Sequence, residues 1–374
     1  MKTILHITHT EIPDDSRIIK DIVAAKSSGF VVHGIGIKLS EDTKSTSVVL
    51  SNIHTLEIYS KKFLSLPKVL RHFFTAIEFY TKSIFLIRKI KPSMIHCHDT
   101  LALPIVAFYC LFSRCKLIYD AHELESDKNG LSRFGGKLVS IVERACWSQI
   151  DGFITVSKKI NDWYMEKFGD KDSIVIYNTP SFEVKSNYDE YYLKDKFGID
   201  RASKVFIYIG ILGDGRGILQ VLDLFKKQND HHVVFLGYGP LLETVKEASK
   251  SFNNIHLHNS VAHEEVVPIA SSADCGLCLL ENISLSDYYA LPNKLFEYAF
   301  AGIPVLSVDF PEINEVVTHY KTGICIKLDE INLETLDLVF QQEWSIDKNT
   351  LAAISWDKQE TDLIEFYKKL MNRI

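Results

Sequence analysis

Short apolar runs alternate along this chain with longer stretches in which apolar residues recur every three or four positions. Residues 3–8 form the first strand candidate, 18–28 carry helical spacing, Gly29 ends that stretch, and 31–37 form the next strand. Such a βαβ opening is the signature of a parallel sheet covered by helices. Residues 94–97 and 116–119 read as core strands, 152–157 and 174–177 continue the rhythm, and Asn178-Thr179-Pro180 closes it. Residues 181–203 are polar and charged with few β-branched residues, which marks a connector. The pattern then restarts, with strand candidates at 205–209, 232–236, 254–258 and 276–280, and an amphipathic helix over 356–370. The expectation is an α/β protein of two similar domains, 1–180 and 204–355, joined by 181–203.

One stretch organises the second half: Leu291-Pro292-Asn293-Lys294-Leu295-Phe296-Glu297-Tyr298-Ala299-Phe300-Ala301-Gly302. Pro292 suits the first turn of a helix, and Gly302 stops it. The start of such a helix offers unpaired backbone amides and a partial positive charge, a seat for phosphate. Glu297 lies about one turn in, on a largely apolar helix, where a carboxylate needs a partner. A ribose diol and a salt bridge or solvent are the two readings open at this point. Gly210-Ile211-Leu212-Gly213-Asp214-Gly215-Arg216-Gly217 directly follows a strand candidate. Its glycines let backbone amides approach an anion, and Arg216 adds a permanent two-pronged charge. A glycine-rich turn with a solvated arginine is the plain alternative. Gly237-Tyr238-Gly239-Pro240 repeats the arrangement after the next strand. In the first half, two strands end in His98-Asp99-Thr100 and Asp120-Ala121-His122-Glu123. Ligands of open α/β sheets gather at strand carboxyl ends, so two histidine–acid pairs there point to function, with a turn cap or a satisfied polar contact as the plain alternative.

Composition narrows the class. The 374 residues are 46% hydrophobic and 24% charged with net charge −6, which disfavours a nucleic-acid partner. The longest apolar run, near 101–112, is too short to span a bilayer and reads as a buried helix. The first residues lack a signal-peptide layout, and seven scattered cysteines suit free thiols in a reducing cytoplasm. Cys275-Gly276-Leu277-Cys278 has metal-like spacing but lacks a second ligand pair and lies in an apolar run, so it reads as a buried strand. Residues 61–91 differ from the rest. Eight Lys and Arg oppose one acid, Glu78, with many aromatic residues between. An anionic membrane surface is the partner this suggests; a pair of ordinary helices with solvated lysines is the alternative.

The ordered set Asp15-Ser16-Arg17-Ile18, Tyr119-Asp120-Ala121-His122-Glu123, Ile176-Tyr177-Asn178-Thr179-Pro180, Tyr208-Ile209-Gly210 with Arg216-Gly217, Gly237-Tyr238-Gly239-Pro240 and Pro292-Asn293-Lys294-Leu295-Phe296-Glu297-Tyr298 resembles the retaining glycosyltransferases of family 4, of the bacterial surface-polysaccharide type. The resemblance covers nearly the whole chain. It implies a GT-B fold, two Rossmann-like domains facing across a cleft, with the helix of 356–374 crossing back to the N-terminal domain. Residues 1–180 would be the acceptor domain and 204–355 the nucleotide-sugar domain.

On this resemblance the catalytic group is His122, Arg216 and Lys294. His122 lies over the donor sugar and Arg216 neutralises the diphosphate, while Lys294 as a further cation is our own addition. Gly210, Gly217, Gly237, Gly239, Tyr289, Asn293, Leu295 and Glu297 would bind the donor, a UDP- or GDP-sugar, with Glu297 on the ribose. Ser16, Arg17, Asp99 and Glu123 would line the acceptor side or the cleft. No metal and no cofactor are expected, and retention would proceed by front-face attack. A glycan or lipid-linked acceptor fits a cytoplasmic protein lying peripherally on the inner face of the cell membrane. Two positions depart from the family: Tyr289 stands where a first glutamate is usual, and Ile211 where a second arginine is common. A nucleotide-sugar 2-epimerase of the same architecture and a non-catalytic glycan- or nucleotide-sugar-binding subunit are the competing readings.

Overall fold

The computed structural model describes residues 2–38, 52–63, 65–181, 188–344 and 346–372. The chain divides into two compact units, Met1–Ile176 with Gln359–Ile374, and Tyr177–Lys358.

The first unit is built on seven parallel strands: β1 (Thr3–Ile7), β2 (Val31–Ile37), β3 (Ile53–Leu56), β4 (Met94–His98), β5 (Lys116–Ala121), β6 (Gly152–Thr155) and β7 (Ser173–Val175). Their order in the sheet is β3-β2-β1-β4-β5-β6-β7. The central strands are apolar at consecutive positions because helices cover both faces; every residue of β4 is buried. Register then fixes the chemistry. His6 of β1 pairs with His96 of β4, and His98 pairs with Asp120 of β5. Side chains alternate along a strand, so these four polar groups share one face. The helix Ser16–Ser27 sets Arg17 and Asp21 on that face, with Asp15 capping it by accepting from the Arg17 and Ile18 amides at 3.1 and 3.2 Å. The helix Trp356–Met371 buries Leu363, Phe366, Tyr367 and Leu370, and its residues from Gln359 onward belong to this unit. Gly152 of β6 leaves room for it: a Cβ there would lie 2.5 Å from Leu370. On the opposite face Tyr119 points at the helix Arg133–Cys146, whose buried Glu143 accepts from the Tyr119 and Tyr164 hydroxyls at 2.8 and 2.5 Å.

The second unit has six parallel strands: β8 (Lys204–Ile211), β9 (His231–Tyr238), β10 (Ile255–His258), β11 (Cys275–Cys278), β12 (Val305–Val308) and β13 (Gly323–Ile326), in the order β10-β9-β8-β11-β12-β13. The helix Asn293–Phe300 is stitched to the sheet by Tyr298. Ile209 N–H donates to its hydroxyl at 3.1 Å, and the hydroxyl lies 3.1 Å from the Ile207 and Leu277 carbonyls. Gly276 makes space for the ring, since any Cβ there would collide with it.

Three expectations change. The connector is partly structured: the helix Tyr192–Phe197 buries Leu193 in the core of the second unit, while 182–187 lie outside the described residues. Residues 61–91 form one 23-residue helix, Lys68–Ile90, after a short turn at Tyr59–Lys62, rather than two helices. The run at 101–112 forms the helix Leu103–Leu111, but it is not buried throughout: Phe108, Leu111 and Phe112 are exposed. Among the described residues, no helix is long and apolar enough to cross a membrane.

Tyr298→Phe keeps the ring and strands the buried Ile209 amide. Urea unfolding should show a loss of about 1–3 kcal/mol; an unchanged midpoint and slope would show that the hydroxyl does not anchor this helix.

Candidate active site

In the second unit the candidate anion-binding groups come from three loops at the carboxyl ends of β8, β9 and β11. Gly217 adopts φ +71° and precedes the helix Ile218–Phe225; a Cβ there would strike the Leu279 carbonyl. The loop is thereby pressed onto the chain after β11, where Glu281 N–H reaches Gly215 O at 3.0 Å. Gly237 faces Gly210 across β9 and β8, and a Cβ on it would strike the Gly210 carbonyl. Gly239 lies just beyond, beside Leu212.

Arg216 emerges from this loop and is aimed by Asp287, Nη1 to Oδ1 at 3.3 Å; Ser284 holds the other Asp287 oxygen at 2.7 Å. Lys294 is buried, and its ammonium lies 3.6 Å from the Tyr208 ring centroid and 3.8 Å from where Gly210 would carry a Cβ. Among the described residues, no carboxylate is in ion-pair range of it. Both cations act on the Cys278 thiol: burial pushes it up to about 11, and Lys294 and Arg216 pull against that rise. Arg216 and Lys294 thus both lie at the carboxyl end of this sheet. A buried cation without a carboxylate is unfavourable unless an anion completes it.

The expected helix start is only partly available. The Leu295 N–H is taken by Pro292 O at 3.1 Å, and its side chain is core. The amides of Asn293 and Lys294 open the helix, with no partner inside it. Glu297 is buried on this helix with Oε1 3.9 Å from His263 Nδ1. Tyr289 is half-buried beside Tyr288.

In the first unit the centre is Asp120, fully buried. Its Oδ1 accepts from Arg17 at 2.6 Å, and its Oδ2 lies 3.2 Å from His96 Nε2, 3.3 Å from His98 Nδ1 and 3.4 Å from His122 Nε2. Burial works to raise its pKa, but Arg17 and His122 override this and hold it well below the carboxylate range. A carboxylate only accepts, so His96 presents Nε2–H to it. Burial keeps His96 neutral, which makes His96 Nδ1 an acceptor for the Tyr367 hydroxyl at 2.7 Å. His6 and His98 are likewise lowered by burial, and Asp21 is raised by it to about 6. His122 differs. Burial would lower it, yet Asp99 and Asp120 raise it to about 9 against Arg17. Asp99, at φ +62°, bends β4 so that its carboxylate lies 3.8 Å from both His122 and His9.

Arg17 corrects one expectation. It does not line an acceptor surface but is buried, with its guanidinium committed to Asp120. Ser16 opens its helix, and Glu123 is exposed, 3.9 Å from Lys128. His6, Asp21 and Tyr367 went unseen in sequence, although His6, His96 and His98 do carry the alternation of one strand face. These groups include sets of donor atoms all within 4.8 Å of one another, among them His6, His96 and His98. A second such set is Asp21, His96, His98 and Asp120. His96 and His98 stack at 4.2 Å and 19°, and His6 and His98 at 5.4 Å and 20°, while His6 and His96 are tilted by 38° at 4.8 Å.

Two all-parallel domains with charged clusters at their strand ends define the GT-B class of architecture. Residues 40–179 match the family described as Glycosyltransferase Family 4, and 192–334 the family described as Glycosyl transferases group 1. Each match covers less than half of the chain, the first lying mostly in the first unit and the second within the second unit. Chitobiosyldiphosphodolichol beta-mannosyltransferase of Candida albicans is 28% identical over 246 residues, covering 59% of this chain and 53% of that protein. This chain spans about half the length of the curated relatives it matches. Sucrose-phosphate synthase from Thermosynechococcus elongatus superposes with TM-score 0.71 at 13% identity, over 100% of this chain and 97% of that one. Anabaena Alr3699/HepE in complex with UDP gives 0.71 at 14%, over 100% of both. At such identities the likeness establishes the fold.

His122 should titrate with a midpoint near 9 in a histidine NMR titration. Its raised folded pKa stabilises the protein in full below the unfolded value of 6.5, and that stabilisation fades as pH rises through about 9. A midpoint at or below 6.5 would show that Asp99 and Asp120 do not act on it.

Proposed function

We propose that this protein transfers a glycosyl group from a UDP- or GDP-sugar to a glycan or lipid-linked acceptor. The observation that carries the reading is Lys294: a buried ammonium at a helix start, at the same end of the sheet as Arg216, with no carboxylate in range among the described residues. A sugar nucleotide supplies the missing anion. When its glycosyl–phosphate bond breaks, negative charge grows on the departing diphosphate, and preorganised cations stabilise that change without reorganising. Arg216, Lys294 and the amides of Asn293 and Lys294 fill this role, so the reading requires no metal. Glu297 serves the ribose, and Gly210, Gly217, Gly237 and Gly239 let the donor approach the backbone. His122, cationic at neutral pH, orients the sugar.

Stereochemistry has two branches. The family 4 resemblance supports retention, whereas the beta-mannosyl product in the relative's name favours inversion. With an α-linked sugar nucleotide, an α-linked product means retention and a β-linked one inversion; the one-bond C1–H1 coupling of the product decides. The lipid diphosphate in that relative's name also supports a lipid-linked acceptor. The helix Lys68–Ile90 suits this acceptor: it exposes Val69, Phe73, Phe74 and Ile77 beside Lys68, so it docks on the anionic inner face of the cell membrane.

Arg216→Ala and Lys294→Ala should each lower kcat for transfer by on the order of a hundredfold, and Glu297→Ala should mainly weaken donor binding in calorimetry. Wild-type turnover in both cation variants would reject the diphosphate site. Conversion of donor to its epimer without acceptor would favour an epimerase instead.

A further inference from the structure

The helix Arg133–Cys146 leaves an unusual outward surface. Phe134, Leu138 and Ile141 are 79%, 54% and 64% exposed. At 3.6 residues per turn they fall within about 60° of one another around the axis. Arg133, Lys137 and Arg144, all exposed, form a second row roughly 80–90° to one side. The only acid on this helix, Glu143, is buried and faces the sheet. The neighbouring helix Leu103–Leu111 adds exposed Phe108 and Phe112, followed by exposed Arg114. It packs between this helix and Lys68–Ile90, so all three cover the same side of the first unit's sheet.

We propose that these three helices form one docking face for an anionic lipid bilayer, with Arg133–Cys146 as a second insertion element beside Lys68–Ile90. The inference rests on the membrane reading above and adds the elements that complete it. Charge selects the occupant: the chain is acidic overall, yet this surface pairs protruding apolar side chains with cations and exposes no acid on Arg133–Cys146. Such a face inserts at a lipid interface, where apolar groups enter the acyl boundary and cations meet headgroup phosphates. Topology adds a reason for its place. Lys68–Ile90 and Arg133–Cys146 follow β3 and β5, so their first turns lie at the strand ends that carry His98 and Asp120. A bilayer held there brings a lipid-linked acceptor to the end of the sheet where His122 stands.

The test uses the full chain and sedimentation with vesicles of phosphatidylcholine, with and without phosphatidylglycerol. Variants are Phe134→Ser/Leu138→Ser/Ile141→Ser, Arg133→Gln/Lys137→Gln/Arg144→Gln, and Phe73→Ser/Phe74→Ser, each first shown to keep the wild-type circular dichroism spectrum and Tm. Wild type should bind the anionic vesicles preferentially, and binding should weaken with salt. Both Arg133–Cys146 variants should lose at least tenfold in partitioning, neutralised cations costing roughly fivefold each, while turnover of a soluble acceptor stays unchanged. If only Phe73→Ser/Phe74→Ser loses binding, the inference falls and the reading of Lys68–Ile90 stands. If wild type binds no vesicles, both fall. A wild-type dimer that the apolar variant dissociates, with vesicle binding intact, would assign the face to a second copy of the chain and overturn the inference.

Discussion

A charge removed from water must be neutralised, and the two units meet that demand in opposite ways. In the first, Asp120 is over-supplied: Arg17 grips one oxygen and three imidazoles crowd the other. Its charge is fixed, so its neighbours adopt defined tautomers, and only the partly exposed His122 carries a proton to spare at neutral pH. In the second, Lys294 is under-supplied, with an aromatic face in place of a carboxylate. A satisfied charge is scaffolding, whereas an unsatisfied one is a demand for a ligand. On the proposed reading, that contrast suits the first cluster to orienting and the second to binding.

Local features of the site were legible in sequence. Pro292 and Gly302 mark the ends of their helix because proline and glycine act on their own backbone, whatever the fold. The glycine loop before Ile218 and the carboxyl-end position of His98-Asp99 and Asp120-Ala121-His122 were likewise readable from strand and turn signals. What stayed hidden was long-range. His6 and His96 become neighbours through a register between residues 90 positions apart, and Tyr367 reaches His96 from the last helix. No local pattern encodes that pairing. Arg17 was misplaced for the same reason: its motif is visible, but its partner lies 103 residues away. Leu295 shows the converse limit. Its place in the motif suggested a donor contact, while its amide is spent on Pro292.

Bulk composition was also a poor guide to surface chemistry. A net charge of −6 suggests indifference to anionic surfaces, yet Lys68–Ile90 and Arg133–Cys146 concentrate cations and bare aromatic groups on one side of one unit. Interfacial forces decay within about a Debye length, roughly 8–10 Å, so a local patch decides the encounter and the distant acids scarcely contribute. The apolar run at 101–112 read as buried throughout, but a run of apolar residues shows that a helix has apolar surface and leaves open what covers it.

Tyr289 bears on the same electrostatics. Where the family pattern places a carboxylate, this chain has a phenol, and the nearest acid in sequence, Asp287, is two residues earlier. Asp287 does not take over the vacant role, since one oxygen is held by Ser284 and the other by Arg216. It serves to aim the arginine. The cationic end of the second sheet is therefore not opposed at position 289 by a negative charge near the sugar. On the proposed reading, such a site is biased toward stabilising the departing diphosphate, and the sugar's developing positive charge must be met elsewhere. On that reading, selectivity for the sugar falls to shape and hydroxyl contacts, for which the Tyr289 ring and hydroxyl are suited.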